Sequence, residues 1–289
     1  MFFNEFDLLD LKIAEELDQV DQMIIVESNQ TFRGNEKPLY LKDNPKYKNP
    51  KIKLVFLEDQ FEKTDSTNLN EIRSVAFRNE GLQRNSALNN VKIKDEDIVI
   101  ATDLDEIIIK EDFPDVIEST KQASTLYQRH ARIQMDNYIY KINLLVDSGV
   151  EKEWRGGVAV TGIVMNTLPR LFESMYQEEG RTVEAFFEIT LDGLRQCPQN
   201  YCPQISTNGK HFSFLSSPES ISYKLKNYSH AEYEDEDESV IISRLNNLEH
   251  IIYKNQDGNF VKLKKVEIDN TYPKTIMNNL SFWSKYIAQ

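Results

Sequence analysis

The fold is decided by residues 97–106, which read DIVIATDLDE. A short, uninterrupted apolar run of this kind is typical of a strand buried on both faces, as in a parallel sheet. The run opens directly onto three carboxylates, Asp103, Asp105 and Glu106. Ligands of open α/β sheets bind outside the carboxyl ends of the strands. We therefore expect a functional site at this strand end.

Two similar runs lie earlier in the chain. Residues 23–26 (MIIV) and 51–57 (KIKLVFL) predict strands, and residues 70–89 predict a helix that precedes the strand at 97–101. Strands that alternate with helices imply a parallel sheet with crossover connections. Later, Ser217 caps a predicted helix, and residues 239–253 predict an amphipathic one. The sequence thus predicts one α/β domain over residues 1–289, with a mixed, mostly parallel sheet flanked by helices.

The composition excludes several classes of protein. In 289 residues, 34 Lys and Arg face 47 Asp and Glu, a net charge of −13, which argues against a general nucleic-acid or anionic-membrane surface. A hydrophobic share of 40% is enough for a packed core. No run reaches the ~18–20 apolar residues of a membrane span, and residues 1–7 do not resemble a signal peptide. We therefore expect a soluble, cytoplasmic protein.

The two aspartates at the strand end suggest a metal site. On an extended chain, Asp103 and Asp105 point to the same side, and carboxylates ~4–6 Å apart repel each other unless a cation lies between them. Hard oxygen ligands suit Mg²⁺ or Mn²⁺, which proteins hold with one or two carboxylates plus substrate phosphates. The alternative is a helix N-cap cluster. Three carboxylates exceed what a cap needs, so the motif favours a site.

Two enzyme classes carry an Asp-x-Asp motif at a strand end. In phosphatases of the haloacid dehalogenase type, Asp103 would be the nucleophile and Asp105 the general acid. Those phosphatases have Thr or Val two positions after the second Asp, where this chain has Ile107. They also carry the motif on the first strand of the chain, whereas two predicted strands precede it here. In nucleotide-sugar glycosyltransferases of the GT-A fold, the motif ends a mid-chain strand. Its position here favours the second class, with a nucleotide-sugar half over about 1–110 and an acceptor half over about 111–289.

Several blocks of the chain, in order, together resemble glycosyltransferase family 17. They are residues 3–9 (FNEFDLL), 25–34 (IVESNQTFRG), 37–39 (KPL), 80–85 (EGLQRN), 97–100 (DIVI), 103–107 (DLDEI), 209–214 (GKHFSF), 224–226 (KLK) and 229–232 (SHAE). Lys210 stands where the family usually has Trp. The ordered set spans residues 2–233 and is far more specific than any one motif.

The resemblance implies a GT-A-like, Rossmann-type fold, a UDP-N-acetylglucosamine donor, a divalent ion (Mn²⁺ or Mg²⁺) and inversion at the anomeric carbon. The expected metal ligands are Asp103, Asp105 and His211, with His230 in reserve. The expected donor-binding residues are Glu27, Arg84, Asp103 and Leu104. Other interpretations stay open: a solvated strand-end acid for Glu27, an ion pair with Glu80 for Arg84, and a hydrogen-bonded core histidine for His211.

An inverting transfer needs a carboxylate that takes the acceptor's proton. The candidates for this base are Glu106, Asp147, Glu153 and Glu173. Trp154 is either an aromatic platform for a sugar or a core residue. The acceptor is expected to be a glycan or another glycoconjugate. Two alternatives to a glycosyltransferase remain: the phosphatase that uses Asp103 and Asp105, and a glycan-binding module without activity.

Overall fold

The computed structural model describes residues 1–89, 91–125, 130–149, 152–166, 171–178, 181–188, 190–196, 202–233 and 236–289. Of residues 124–125, 171–178 and 181–188, only the backbone is described. The helices are α1 (Phe6–Glu16), α2 (Leu69–Asn85), α3 (Phe113–Thr125), α4 (Gly162–Asn166), α5 (Leu191–Gln196), α6 (Pro218–Asn227), α7 (Glu238–Asn246), α8 (Lys274–Met277) and α9 (Leu280–Trp283). The strands are β1 (Met23–Ser28), β2 (Ile52–Leu57), β3 (Ile98–Ala101), β4 (Glu106–Ile107), β5 (Ala131–Ile139), β6 (Leu144–Val146), β7 (Glu153–Thr161), β8 (Leu171–Glu178), β9 (Arg181–Glu188), β10 (Gln204–Ser213), β11 (Glu249–Lys254) and β12 (Phe260–Lys265).

The first two strands form the parallel pair that their apolar runs predict. They pair in register from Met23 opposite Ile52 to Ser28 opposite Leu57. Helix α2 follows, and its N-cap residue Asn68 accepts hydrogen bonds from the backbone N–H groups of the first turn. The predicted strands at 23–26 and 51–57 and the helix at 70–89 are therefore confirmed, with small differences at their ends.

The strand at the Asp-x-Asp motif does not join that parallel pair. Strand β3 pairs antiparallel with β7, from Ile98 opposite Thr161 to Ala101 opposite Val158. Strand β7 also pairs antiparallel with β5. The residues of β3 are half-buried and not fully buried as predicted, and an apolar run does not show the direction of the neighbouring strand. The partner of β3 lies about sixty residues further along the chain, where the sequence pattern gives no pairing signal.

The larger sheet is consequently mixed and mostly antiparallel. Its hydrogen-bonded order among the described strands is β11-β12-β6-β5-β10-β4, with β7 beside β5 and β3 beside β7. Within this sheet the pairing of β5 with β10 is parallel, and the other described pairings are antiparallel. The prediction of a mostly parallel, GT-A-like sheet of the Rossmann type is therefore wrong. The chain has a mixed α/β architecture in which β1 and β2 form a separate parallel pair.

The predicted nucleotide-sugar half (about 1–110) and acceptor half (about 111–289) do not form separate parts of the larger sheet. Strands β3 and β4 come from residues 1–110, yet they pair with β7 and β10 from later in the chain. Helix α1 packs on β4 and also contacts α8. Residues far apart in the sequence are thereby brought to the end of β3. The assignment of separate nucleotide-sugar and acceptor halves stays a prediction.

The C-terminal region differs from the predicted pattern at one boundary. Ser217 caps α6 as expected, because its hydroxyl accepts a hydrogen bond from the backbone N–H of Ser220. The long helix predicted over 239–253 ends at Asn246, and residues from Glu249 onward form β11. Leu248 has a φ of +51°, a left-handed conformation that breaks a helix. Leu248 and Ile252, which the predicted helical period included, lie instead in the turn after α7 and in β11.

Candidate active site

The turn between β3 and β4 is closed by a side chain of its own. The backbone N–H of Asp103 donates to Oε2 of Glu106 (2.6 Å), and the backbone N–H of Glu106 donates to the carbonyl of Asp103 (3.2 Å). Glu106 then begins β4, which pairs antiparallel with β10 and lies opposite His211. The carboxylates predicted to lie at a strand end are thus held in a tight turn against β10.

Two arginines surround Asp103. Arg195, on α5, donates to Oδ2 of Asp103 (2.7 Å) and to both carboxylate oxygens of Glu106 (2.9 and 3.0 Å). Arg84, on α2, donates to Oδ2 of Asp103 (3.2 Å) and to Asp192 (2.6 Å), and it forms an ion pair with Glu80. Such charge-assisted pairs are among the stronger hydrogen bonds in proteins. The two guanidiniums fix the position of the Asp103 carboxylate.

These ion pairs set the charge of the buried groups. Burial alone would raise the pKa of the Asp103 carboxyl, but Arg195 and Arg84 outweigh it and hold that pKa well below its usual range. Burial likewise opposes ionisation of Glu106, whose pKa Arg195 nevertheless lowers. The Asp103 and Glu106 carboxylates are therefore ionised at neutral pH, each against a permanent cation.

Glu106 has its hydrogen-bonding capacity filled within the protein. In addition to Arg195 and the Asp103 amide, its Oε1 accepts from the indole N–H of Trp154 (2.6 Å). Its side chain has 0% exposure. The backbone approaches closely here, because a Cβ at Gly156 would collide with both Glu106 and Trp154. A base must reach the acceptor hydroxyl, and Glu106 has no free oxygen with which to do so.

Asp105 lies on the other side of the turn. Its Oδ2 is 3.8 Å from Nε2 of His211 and 3.9 Å from Nζ of Lys224, both beyond hydrogen-bond distance. Lys224 instead donates to Glu5 (3.0 Å). The backbone N–H of Phe212 donates to the carbonyl of Asp105 (2.8 Å), which holds this residue against β10. The Asp105 carboxylate therefore faces His211 and keeps lone pairs for a ligand.

His211 is held by two side chains, Asn137 and Trp154. Its Nδ1 is 2.9 Å from Oδ1 of Asn137, an oxygen that can only accept, so Nδ1 carries the proton. The lone pair then lies on Nε2, the atom that faces Asp105. The imidazole also stacks on the ring of Trp154. Burial lowers the pKa of His211, and the charge of Asp105 opposes this effect. The neutral imidazole, whose Nε2 lone pair can bind a metal ion, is therefore favoured.

A divalent cation fits part of the predicted ligand set. Within the residues that the structure describes, there is no group of three or more His, Cys, Asp or Glu side chains placed to hold a metal ion. Asp105 and His211 nevertheless present one carboxylate and one imidazole nitrogen to the same space. Two protein ligands completed by substrate phosphates suit Mg²⁺ or Mn²⁺. Asp103, whose oxygens accept from Arg84 and Arg195, is less available for direct binding.

A cleft connects these groups. Asp103, Asp105, Trp154, His211 and Lys224 line it together with the predicted donor residue Leu104. The chain start, the loop after β1, and parts of α2, α6 and β11 contribute the other walls. The structure thus gathers Asp103, Leu104, Asp105 and His211, four of the residues predicted from the sequence, around one opening.

Other predicted residues lie elsewhere or serve other contacts. Glu27 is fully buried and accepts from the backbone N–H groups of Tyr40 (2.7 Å) and Leu41 (3.0 Å), so it is not a solvated strand-end acid. His230, the reserve ligand, pairs with Glu232 (2.9 Å). Neither Glu27 nor His230 is among the residues that line the cleft.

The other three residues predicted as candidate bases are Asp147, Glu153 and Glu173. Asp147 follows β6 and lies 3.5 Å from Lys264, and Glu153 begins β7 and pairs with Arg155 (2.8 Å). Their side chains are 49% and 43% exposed, and neither lines the cleft. Glu173 lies in β8, whose side chains are outside the described part of the structure. Asp147 and Glu153 are therefore not brought to the Asp-x-Asp turn.

Several groups at the site were not predicted from the sequence. Arg195 and Asp192 belong to a six-residue helix, and nothing in their local sequence indicates that they meet Asp103 and Arg84. Glu5 and Lys224 are 219 residues apart and form an ion pair beside Asp105. Their sequence blocks contribute to the family resemblance, which was a usable signal. The pairing itself follows only from the three-dimensional structure.

Comparison with known families identifies the class of this protein. A family model described as Glycosyltransferase family 17 matches residues 1–167, more than half of the chain, and includes the Asp-x-Asp turn. The protein is therefore a glycosyltransferase, an enzyme that uses a sugar donor and an acceptor. More specifically, the chain belongs to glycosyltransferase family 17, as its sequence blocks predicted. Searches among curated proteins and solved structures gave no match.

Each of the described helices is too short or too polar to cross a lipid bilayer. The longest described helix, α2, has 17 residues and carries several charged side chains. This agrees with the absence of a long apolar run in the sequence.

Proposed function

We propose that this enzyme transfers a sugar, N-acetylglucosamine from UDP-N-acetylglucosamine, to a glycan or glycoconjugate acceptor with inversion, and that it requires Mn²⁺ or Mg²⁺. The observation that carries the proposal is the convergence of Asp105 Oδ2 and His211 Nε2, 3.8 Å apart, at the cleft. A diphosphate donor brings negative charge to a protein with a net charge of −13. A local cation is the device that makes such binding favourable.

The residues of this chain divide the work. Asp105 and His211 would hold the ion, Asn137 keeps the Nε2 lone pair of His211 available, and Trp154 fixes the plane of the imidazole. When bound, the ion would neutralise charge on the diphosphate leaving group, which is worth several kcal/mol in such reactions. Lys224, 3.9 Å from Asp105, adds a positive charge at the edge of the same space.

Asp103 has a different role in this proposal. Its carboxylate is held by Arg84 and Arg195, so it would serve donor binding, by accepting from a hydroxyl of the donor, rather than direct metal binding. The buried guanidiniums keep it ionised and immobile. A prearranged acceptor of this kind loses little conformational freedom when a ligand binds.

A thermal-shift series tests donor and metal together. Ligands that bind only the folded state raise the free energy of unfolding by RT ln(1 + [L]/Kd), and the melting temperature rises with it. We expect UDP and UDP-N-acetylglucosamine to stabilise the protein when Mn²⁺ is present, and GDP donors or metal-free samples to give smaller shifts. Stabilisation by GDP-mannose alone would contradict the donor assignment, and equal shifts with EDTA would contradict the metal requirement.

An activity assay separates the alternatives. The family match favours a glycosyltransferase over a phosphatase of the haloacid dehalogenase type and over a glycan-binding module. Incubation with Mn²⁺ and UDP-N-acetylglucosamine should release UDP slowly by hydrolysis and faster with a suitable glycan. Turnover of phosphomonoesters without UDP release would favour the phosphatase. A protein that binds glycans but releases no UDP would favour the binding module.

A further inference from the structure

His250, in the second position of β11, has an unusual set of contacts. Its Nδ1 accepts hydrogen bonds from the backbone N–H groups of Ile252 and Tyr253, both at 3.1 Å. A ring nitrogen that accepts carries no proton, so in the neutral imidazole the proton is on Nε2. The two backbone donors thereby fix the tautomer. Nε2 of His250 is a hydrogen-bond donor by necessity.

This donor has no acceptor in the described part of the protein. Nε2 of His250 is buried and makes no hydrogen bond with the described residues. The residue as a whole is 1% exposed and is one of those that line the cleft. Buried polar groups in native proteins almost always have a partner, so an exception calls for an explanation. Burial lowers the pKa of His250 to about 3. The ring therefore stays neutral and keeps this tautomer at physiological pH.

The surroundings of His250 indicate the kind of ligand. Ile139 and Phe214 line the cleft with it, and both belong to the apolar cluster against which Ile252 and Tyr253 pack. The Tyr253 ring lies 4.7 Å from the imidazole, centroid to centroid. The charge of Lys224, whose Nζ lies 5.6 Å from the centre of the Phe214 ring, is paired with Glu5, so a neutral donor among these apolar and aromatic faces does not suit a phosphate. A sugar ring suits it, because a pyranose presents C–H faces together with oxygens that accept hydrogen bonds.

We propose that Nε2–H of His250 donates a hydrogen bond to an oxygen of the donor's sugar ring, and that Ile252 and Tyr253 contact the faces of that ring. The inference rests on the proposed function, since it assumes a nucleotide-sugar donor in this cleft. His250 lies outside residues 1–167, so the family match does not assign it a role. In this proposal β11 forms the sugar-binding wall of the cleft.

Two substitutions separate the ring's two contacts. His250→Asn keeps an acceptor near Nδ1 for the backbone N–H groups of residues 252 and 253, but it removes the donor at the Nε2 position. His250→Gln places an amide N–H near the Nε2 position and weakens the contact with the backbone. Calorimetric titration measures the affinity for UDP and for UDP-N-acetylglucosamine, both in the presence of Mn²⁺. The difference between the two binding free energies is the contribution of the sugar.

We expect His250→Asn to weaken binding of UDP-N-acetylglucosamine about twofold to tenfold, the range for one lost hydrogen bond, with binding of UDP unchanged. His250→Gln should recover part of the loss. If His250→Asn binds both ligands like wild type, the proposal is wrong. If it weakens UDP equally, the contact is with the nucleotide and the sugar assignment is wrong. A wild-type protein that binds neither ligand would instead overturn the proposed function.

A measurement on the unmodified chain covers variants that do not fold. With ¹⁵N-labelled histidine, the Nε2–H resonance of His250 is observable directly because the proton is fixed there. We expect UDP-N-acetylglucosamine to shift this resonance and UDP alone to leave it in place. No shift with the saturating sugar nucleotide would overturn the inference.

Discussion

The indole ring of Trp154 stacks on the imidazole of His211, with ring centroids 4.0 Å apart and planes inclined by 11°. The indole N–H of the same residue donates to Glu106 at 2.6 Å. One side chain thus connects the Asp-x-Asp turn to the histidine that faces Asp105. The two interpretations of Trp154 from the sequence were a sugar platform and a core residue. Its contacts favour a residue that positions the site.

The hydrogen bond of Trp154 predicts a measurable loss of stability. Trp154→Phe keeps an aromatic ring against His211 but removes the N–H that Glu106 accepts. We expect the free energy of unfolding to fall by about 2–3 kcal/mol, since a buried carboxylate loses a charge-assisted hydrogen bond. Urea denaturation at pH 7 measures it.

The matched control for this variant is Trp283→Phe. Trp283 is buried in an apolar cluster that includes Tyr272 and Ile276. The control therefore measures the cost of replacing an indole by a smaller ring. If Trp154→Phe lowers the free energy of unfolding no more than Trp283→Phe does, the hydrogen bond with Glu106 contributes little to stability.

Arg195 should be essential to the fold of the site. Arg195→Met leaves the fully buried Glu106 carboxylate and the half-buried Asp103 carboxylate with one cation fewer, and removing one partner from a buried ion pair such as Arg195–Glu106 costs roughly 3–5 kcal/mol. Arg78→Met is the control, because Arg78 pairs with Glu62 at the surface, where an ion pair is worth about 0–1 kcal/mol. Similar midpoints of urea unfolding for the two variants would contradict the structural role of Arg195.

The pair of Glu5 and Lys224 predicts a pH dependence. Burial opposes ionisation of Glu5, but Lys224 outweighs it, so the pKa of Glu5 lies below the usual 4.5. A carboxyl with a lowered pKa stabilises the fold above its unfolded pKa, and the contribution disappears as the pH falls through the folded pKa. We expect wild type to be more stable than Glu5→Gln at pH 7, with the difference shrinking below about pH 4.5. A difference that stays constant from pH 7 to pH 3 would refute this.

Local elements were predictable from the sequence, but strand pairing was not. The apolar runs near Met23, Ile52 and Ile98 each form a strand, because burial and β-propensity act within a few residues. The direction of β3 depends on β7, which the local pattern does not contain. The mostly parallel sheet was therefore a wrong extrapolation from correctly located strands.

The same distinction holds for the site. The motif and the family blocks pointed to Asp103, Asp105 and His211, which the fold brings around one cleft. The network around Asp103 was missed, because Arg195 lies 92 residues from it in the chain. The orphan donor of His250 was missed as well. Its significance depends on which atoms are already bonded, a property that composition and spacing do not record.

The central claim is that Asp105 and His211 hold a divalent cation for a diphosphate donor. The most direct test is calorimetric titration of Mn²⁺ in the presence of UDP, on wild type, Asp105→Asn and the control Asp147→Asn, whose side chain is 49% exposed and away from the cleft. Asp105→Asn removes a charged oxygen ligand at nearly constant volume, so we expect an unchanged melting temperature and metal affinity weaker by at least about tenfold, or about 1.4 kcal/mol. Asp147→Asn should bind like wild type. Equal affinity for Mn²⁺ in wild type and Asp105→Asn would contradict the account.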